Sequence, residues 1–146
     1  MDSDHDSVEL AAREFELRGV DNVHTAVFDL TDYVVGRGRA GNERSGFYSR
    51  VKPQQSLALA LIHHMVIGAG IPMERVAAHL REVSPSLIIE FVPPGDPMVD
   101  QLIANKSGQH HEYSQEVFER AFSSHFSMDK KQELAGSGRV LYGFKE

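Results

Sequence analysis

Apolar side chains recur along this chain at two spacings, a three-to-four stripe and a near-continuous run, and the two alternate. Val8, Ala11, Ala12 and Phe15 form a helical stripe behind Asp4 and Asp6, either of which can cap it, and Gly19 offers a left-handed stop. Val23 to Asp29 (VHTAVFD), rich in β-branched and aromatic residues, reads as a short strand ended by an acid. Leu30 to Gln55 is a long connection punctuated by Gly36, Gly38, Gly41, Gly46 and Pro53. Ser56 to Ile62 (SLALALI) is apolar without alternation, which suits a strand covered on both faces; Leu and Ala alone would equally suit a helix, and the neighbouring segments favour the strand. Pro72 opens a helix with Val76, Ala77 and Leu80 on its buried stripe, ended by Ser84-Pro85. Ser86 to Val92 (SLIIEFV) is the clearest strand, stopped by Pro93-Pro94. Asp96-Pro97 starts a helix over Met98 to Ala104, and Ser114 caps another that carries Val117, Phe118, Ala121 and Phe122. Phe126 to Leu134 and Arg139 to Phe144, joined through Gly136-Ser137-Gly138, read as an antiparallel hairpin. The order is that of an α/β fold with an antiparallel edge.

At 146 residues the chain is one domain's worth, and 41% hydrophobic residues with 25% charged place it among soluble globular proteins. No apolar run approaches the roughly 20 residues that cross a bilayer, so no membrane partner is expected. The absence of Cys removes disulfides, thiolate metal sites and a Cys nucleophile. The acidic opening, MDSDHDSVE, is unlike a secretory or transit peptide, and a cytoplasmic location is the default expectation. Charge is unevenly placed. Residues 1–32 hold nine acids against Arg13 and Arg18, whereas residues 34–55 hold Arg37, Arg39, Arg44, Arg50 and Lys52 against Glu43. That basic loop is either a solvated face or a surface for an acidic partner, and a non-catalytic interaction module built on it is the alternative to an enzyme. Phe47 and Tyr48 are too few for base stacking, and the net charge of −6 makes nucleic acid an improbable partner.

Ligands of open α/β sheets gather at the carboxyl ends of the strands. Asp29 follows the first full strand, His63 and His64 follow the second, and Glu90 lies near the end of the third. Asp2-Ser3-Asp4, directly before a helix, looks like the tail of a further strand. His63, His64, His79, His110 and His111 lack the spacing of metal ligands, and no metal site is expected.

These residues carry a resemblance. Asp2-Ser3-Asp4, Asp29 in VFDLTD, LALALIHHM, and LIIEFVP followed by the C-terminal hairpin resemble the second acid-ended strand through the last strands of class I S-adenosylmethionine-dependent methyltransferases. The likeness is most specific to a subgroup labelled nodulation-protein or methyltransferase-like, with its ALIHHL segment, IEFVP strand end and an Asn-Glu-Arg loop, here Gly41 to Arg50. The family opens with a strand and a Gly-rich turn that cradles the methionine part of the cofactor, and no such turn precedes Asp2. Gly36, Gly38 and Gly41 do not substitute for it, because no helix follows them. The resemblance therefore implies a Rossmann-like methyltransferase sheet lacking its first strand and Gly-rich loop, in a single incomplete domain spanning residues 1–146.

What the resemblance implies residue by residue is as follows. Asp2, with Ser3 beside it, would accept hydrogen bonds from both ribose hydroxyls of S-adenosylmethionine. Asp29 would receive the adenine amine and the Leu30 amide a ring nitrogen, while Leu59 and Ala60 would pass the sulfonium with backbone carbonyls and shape. Methyl transfer needs alignment of acceptor, carbon and sulfur, and a hydroxyl or amine acceptor must lose a proton. His63 or His64 could take that proton, or both could be packing residues; Glu90 is either at the active site or a satisfied structural acid. The methyl acceptor, a small molecule or otherwise, is not named by the residues. In the family the absent strand lies centrally, so Val23 to Asp29 is expected to detach or to slide over and pair with Ser56 to Ile62, or the chain to borrow a strand from a second copy, self-associating through the unpaired sheet edge.

Overall fold

The computed structural model describes residues 1–31, 36–37, 43–106 and 113–146. They fall into two compact units, Met1–Val34 and Val35–Glu146. Most of the basic-loop residues from 32 to 42, and His110-His111, lie outside the described residues.

In the first unit the expected helix forms as α1 (His5–Leu17), and Asp4 is the cap. Its Oδ1 accepts from the Asp6 amide at 3.1 Å and its Oδ2 from the Ser7 hydroxyl at 2.7 Å. Those bonds, the Ser7 one foremost, hold the Asp4 carboxyl below its ordinary range. Ion pairs Arg13–Glu9 and Arg18–Glu14 run along the helix one turn apart. Gly19 takes φ +66°, the left-handed stop expected of it. The strand expected over Val23 to Asp29 contracts to one parallel bridge, Asp2 with Val27. The Phe28 amide donates to the Asp2 carbonyl at 2.8 Å, and the Asp2 amide to the Ala26 carbonyl at 3.3 Å. The physical reason is the ladder: among the described residues it is one bridge with two hydrogen bonds, and Val23 and Val27 both stay about two-fifths exposed.

The second unit is mixed α/β with a four-stranded open sheet. A short antiparallel pair, β1 (Gly36–Arg37) and β2 (Arg44–Ser45), precedes the single-turn helix α2 (Phe47–Arg50). The sheet comprises β3 (Ser56–Ala58), β4 (Ser86–Phe91), β5 (Ser127–Glu133) and β6 (Val140–Lys145) in the order β3-β4-β6-β5. Only β3 and β4 are parallel, in the register Leu57 to Ile88. The last strand therefore lies inside the sheet, between β4 and its own hairpin mate β5. Its turn runs through Gly136 at φ +79° and Gly138 at φ +66°, which residues with a Cβ resist. Among the described residues β3 pairs with β4 alone.

Helices α3 (Met73–Val83), α4 (Pro97–Ala104) and α5 (Gln115–Ser123) connect the strands. α4 and α5 start at the expected caps: Asp96 accepts from the Met98 amide at 3.0 Å and Ser114 from the Val117 amide at 3.3 Å. α3 starts one residue later than expected, with Pro72 as cap. Burial alternates along β6 and along β4 as far as Ile89, placing Leu87, Ile89, Phe91, Tyr142 and Phe144 on the helix-covered face, while Glu90 is buried as well. There Phe118 and Phe122 of α5 stack at 4.4 Å between centroids, with Phe91 5.2 Å and Tyr142 4.9 Å from Phe118. Such aromatic pairs are each worth about 0.5–1.5 kcal/mol beyond the apolar area they bury. No helix among the described residues is long and apolar enough to cross a membrane.

Candidate functional site

The apolar run SLALALI divides at its middle. β3 stops at Ala58, and Ala60 takes φ +48°, the one positive φ among described non-glycine residues. A left-handed alanine costs about 1–2 kcal/mol and persists only where neighbours hold it. The holder is Glu90, whose Oε2 accepts from the Ala60 amide at 2.8 Å across the parallel β3–β4 pair. Beyond the turn the chain winds into a π-helix, His64–Gly68, a rare form that occurs mostly as single turns and frequently at functional sites. The sequence reading missed it because Leu, Ile and His carry no signal for an i to i+5 pattern.

Glu90 is 7% exposed, and its second oxygen is also engaged: Oε1 faces Arg139 Nη1 at 3.3 Å. Arg139 closes a fork on Asp96, with Nε and Nη2 each 2.9 Å from Oδ2, while Oδ1 of the same carboxylate caps α4. Burial draws the Asp96 carboxyl upward, but the Met98 amide and Arg139 outweigh it and the net direction is down. The Asp96 bond in turn makes the Arg139 proton harder to remove. Arg139 and Asp96 were not among the site residues read from the sequence. No signal in the sequence marks Arg139: the pairing of Phe91 with Val140 is what sets it just past the end of β4.

His63 sits against this cluster, 2% exposed, and among the described residues its Nδ1 has no hydrogen-bond partner. Burial above all, then the neighbouring His64, pushes its imidazole down to about 4, with Arg139 adding to the effect and Asp96 and Glu90 opposing it. It is neutral at pH 7. His64 lies against it at 4.2 Å between centroids, the rings tilted by 40°, but is exposed, so the pair splits into one buried and one solvent-facing ring. Leu59, 52% exposed, and the exposed Ala60 complete this end of β3.

Asp2, Ser3, Asp29 and Leu30 belong to the first unit. Asp2 Oδ1 accepts from the Asp4 amide at 3.0 Å, and among the described residues Oδ2 has no partner. Asp29 Oδ1 accepts from the Thr31 amide at 2.8 Å and the Thr31 hydroxyl at 2.6 Å. The parallel bridge sets Asp2 beside Val27, two residues before Asp29, so the two acid-ended segments adjoin. Asp2, Ser3 and Asp29 are exposed, and Leu30 is half-buried. Among the described residues no group of three or more His, Asp or Glu is arranged to hold a metal ion.

No protein-family model matches the chain, and no solved structure matches it. Among curated proteins it is similar to the nodulation protein NoeA of Rhizobium meliloti (strain 1021), 37% identical over 109 residues. The match takes in 75% of this chain and 23% of NoeA, so the chain corresponds to less than a quarter of the length of that relative.

Proposed function

We propose that the chain is part of an S-adenosylmethionine-dependent methyltransferase with the Rossmann-like sheet of the class I enzymes, transferring a methyl group to an acceptor that bears an ionisable proton. The observation that carries this reading is the parallel bridge between Asp2 and Val27, which adjoins the segments ending in Asp2 and Asp29. Paired exposed carboxylates at the ends of neighbouring parallel segments suit a nucleoside: one takes ribose hydroxyls, the other the adenine amine. Asp2 fits that task through Oδ2. The parallel β3–β4 pair with an antiparallel hairpin beside it supports the same reading.

When bound, the cofactor supplies a methyl group already made electrophilic by positive sulfur. The chain's own residues then have three tasks. Asp2, Ser3, Asp29 and Leu30 hold the nucleoside. Leu59 and Ala60 present backbone at the end of β3. The acceptor's proton goes to His64, the exposed ring. His63 is a poor base because burial disfavours its protonated form, and both Glu90 oxygens are already committed.

Isothermal titration of the full chain with S-adenosylhomocysteine tests the reading. Saturable heat is expected, weakened at least about tenfold in Asp29→Ala, as loss of a charge-assisted hydrogen bond requires. No heat with the unaltered chain overturns it.

A further inference from the structure

The turn after β3 is tied to a residue far away in sequence. Ala60 is exposed, yet its amide is held by a carboxylate that is almost fully buried. A free Glu90 side chain would have several rotamers; here one oxygen is fixed by the Ala60 amide and the other by Arg139. Arg139 is fixed in turn by its two-point grip on Asp96, which the first turn of α4 immobilises. Four segments thus meet at one chain of polar contacts: the end of β3, β4, the start of α4 and the residue before β6.

We propose that Arg139 is a positioning residue: through Glu90 it holds Ala60 in its left-handed conformation and so sets the backbone at the mouth of the candidate site. Its value for methyl transfer rests on the reading of that turn given above; the contact chain itself does not. The link is directional in its physics. Removing Arg139 leaves Glu90 a buried carboxylate with a single amide partner, so Glu90 turns toward water and releases Ala60. Residue 60 then relaxes to negative φ, because nothing else offsets the left-handed cost. Carboxylate, guanidinium and amide form one unit, and their contributions are coupled rather than additive.

Amide hydrogen exchange on the full chain, read residue by residue by NMR, measures this without any ligand. Arg139→Gln is expected to speed exchange of the Ala60 amide by about tenfold or more, with the Tyr142 and Phe144 amides of β6 unchanged. Arg139→Lys restores part of the protection, since an ammonium reaches Glu90 or Asp96 but lacks the fork. Unchanged Ala60 exchange in Arg139→Gln, or acceleration shared equally with β6, overturns the proposal. If the chain fails to bind S-adenosylhomocysteine while Ala60 exchange responds as described, the functional reading falls and the positioning inference stands.

Discussion

The buried histidine makes a quantitative demand on how stability varies with pH. His63 is 2% exposed, and burial depresses its imidazole from the ordinary 6.5 to about 4. The unfolded chain gives that ring its ordinary affinity for a proton. Between pH 6.5 and 4 the unfolded state therefore binds a proton that the native state refuses, and stability falls as pH drops through that window. Above pH 6.5 neither state carries the proton and the contribution is complete; below 4 both carry it and no further loss accrues. The full shift corresponds to about 3 kcal/mol, and solvent penetration to a ring near the surface brings the expectation to about 2 kcal/mol. The perturbation is His63→Leu, which keeps the volume and removes both the titration and the unpartnered Nδ1, leaving stability at pH 7.5 within about 1 kcal/mol of the parent. Urea unfolding at pH 7.5, 6, 5 and 4.5, followed by far-ultraviolet circular dichroism because the chain has no Trp, gives both curves. Carboxylate titrations are common to the two proteins and cancel in the difference. The parent is expected to lose about 2 kcal/mol more than His63→Leu between pH 7.5 and 4.5. Parallel curves would refute the reasoning, since they would mean that the imidazole is protonated in the native state at its ordinary pH.

Phe118→Ala removes the ring that touches Phe91, Phe122 and Tyr142, and urea unfolding is expected to register a loss of about 3–5 kcal/mol; a loss below about 1 would mean that the aromatic layer collapses onto the gap. The edge of β3, with Leu57 65% exposed beside it, is proposed as a self-association surface. Sedimentation should show mass rising with concentration for the parent and less so for Leu57→Lys, and identical profiles would remove that edge from consideration.

Legibility in the sequence followed local physics. Asp4, Asp96 and Ser114 cap the helices expected of them because short polar side chains before an apolar stripe have one dominant use. Ser86 to Val92 is recovered as β4 nearly whole, since β-branched residues beside Pro93-Pro94 leave little choice. SLALALI misled over Leu59 to Ile62 because its outcome depends on Glu90, 30 residues downstream, capturing the Ala60 amide. Val23 to Asp29 misled in the opposite sense: its composition is that of a strand, but a strand needs a ladder, and one bridge is what it has. Of the candidate site, the position of Glu90 near the end of β4 could be seen in advance. Glu90 left two readings open, and its paired oxygens favour the structural one. Arg139 could not be seen, because its meaning lies in which strand β6 joins.

That choice of neighbour also governs the order in which the sheet can be assembled during synthesis. Residues 140–145 thread between two strands already made, Phe91 meeting Val140 roughly 50 residues downstream. Until they emerge from the ribosome, β5 has no mate and β4 shows a bare flank, so the nascent chain passes through a stage in which sticky backbone is open to strangers. The keystone is laid after the strands it joins, and a ribosome that stalls shortly before it leaves two halves of a sheet still apart.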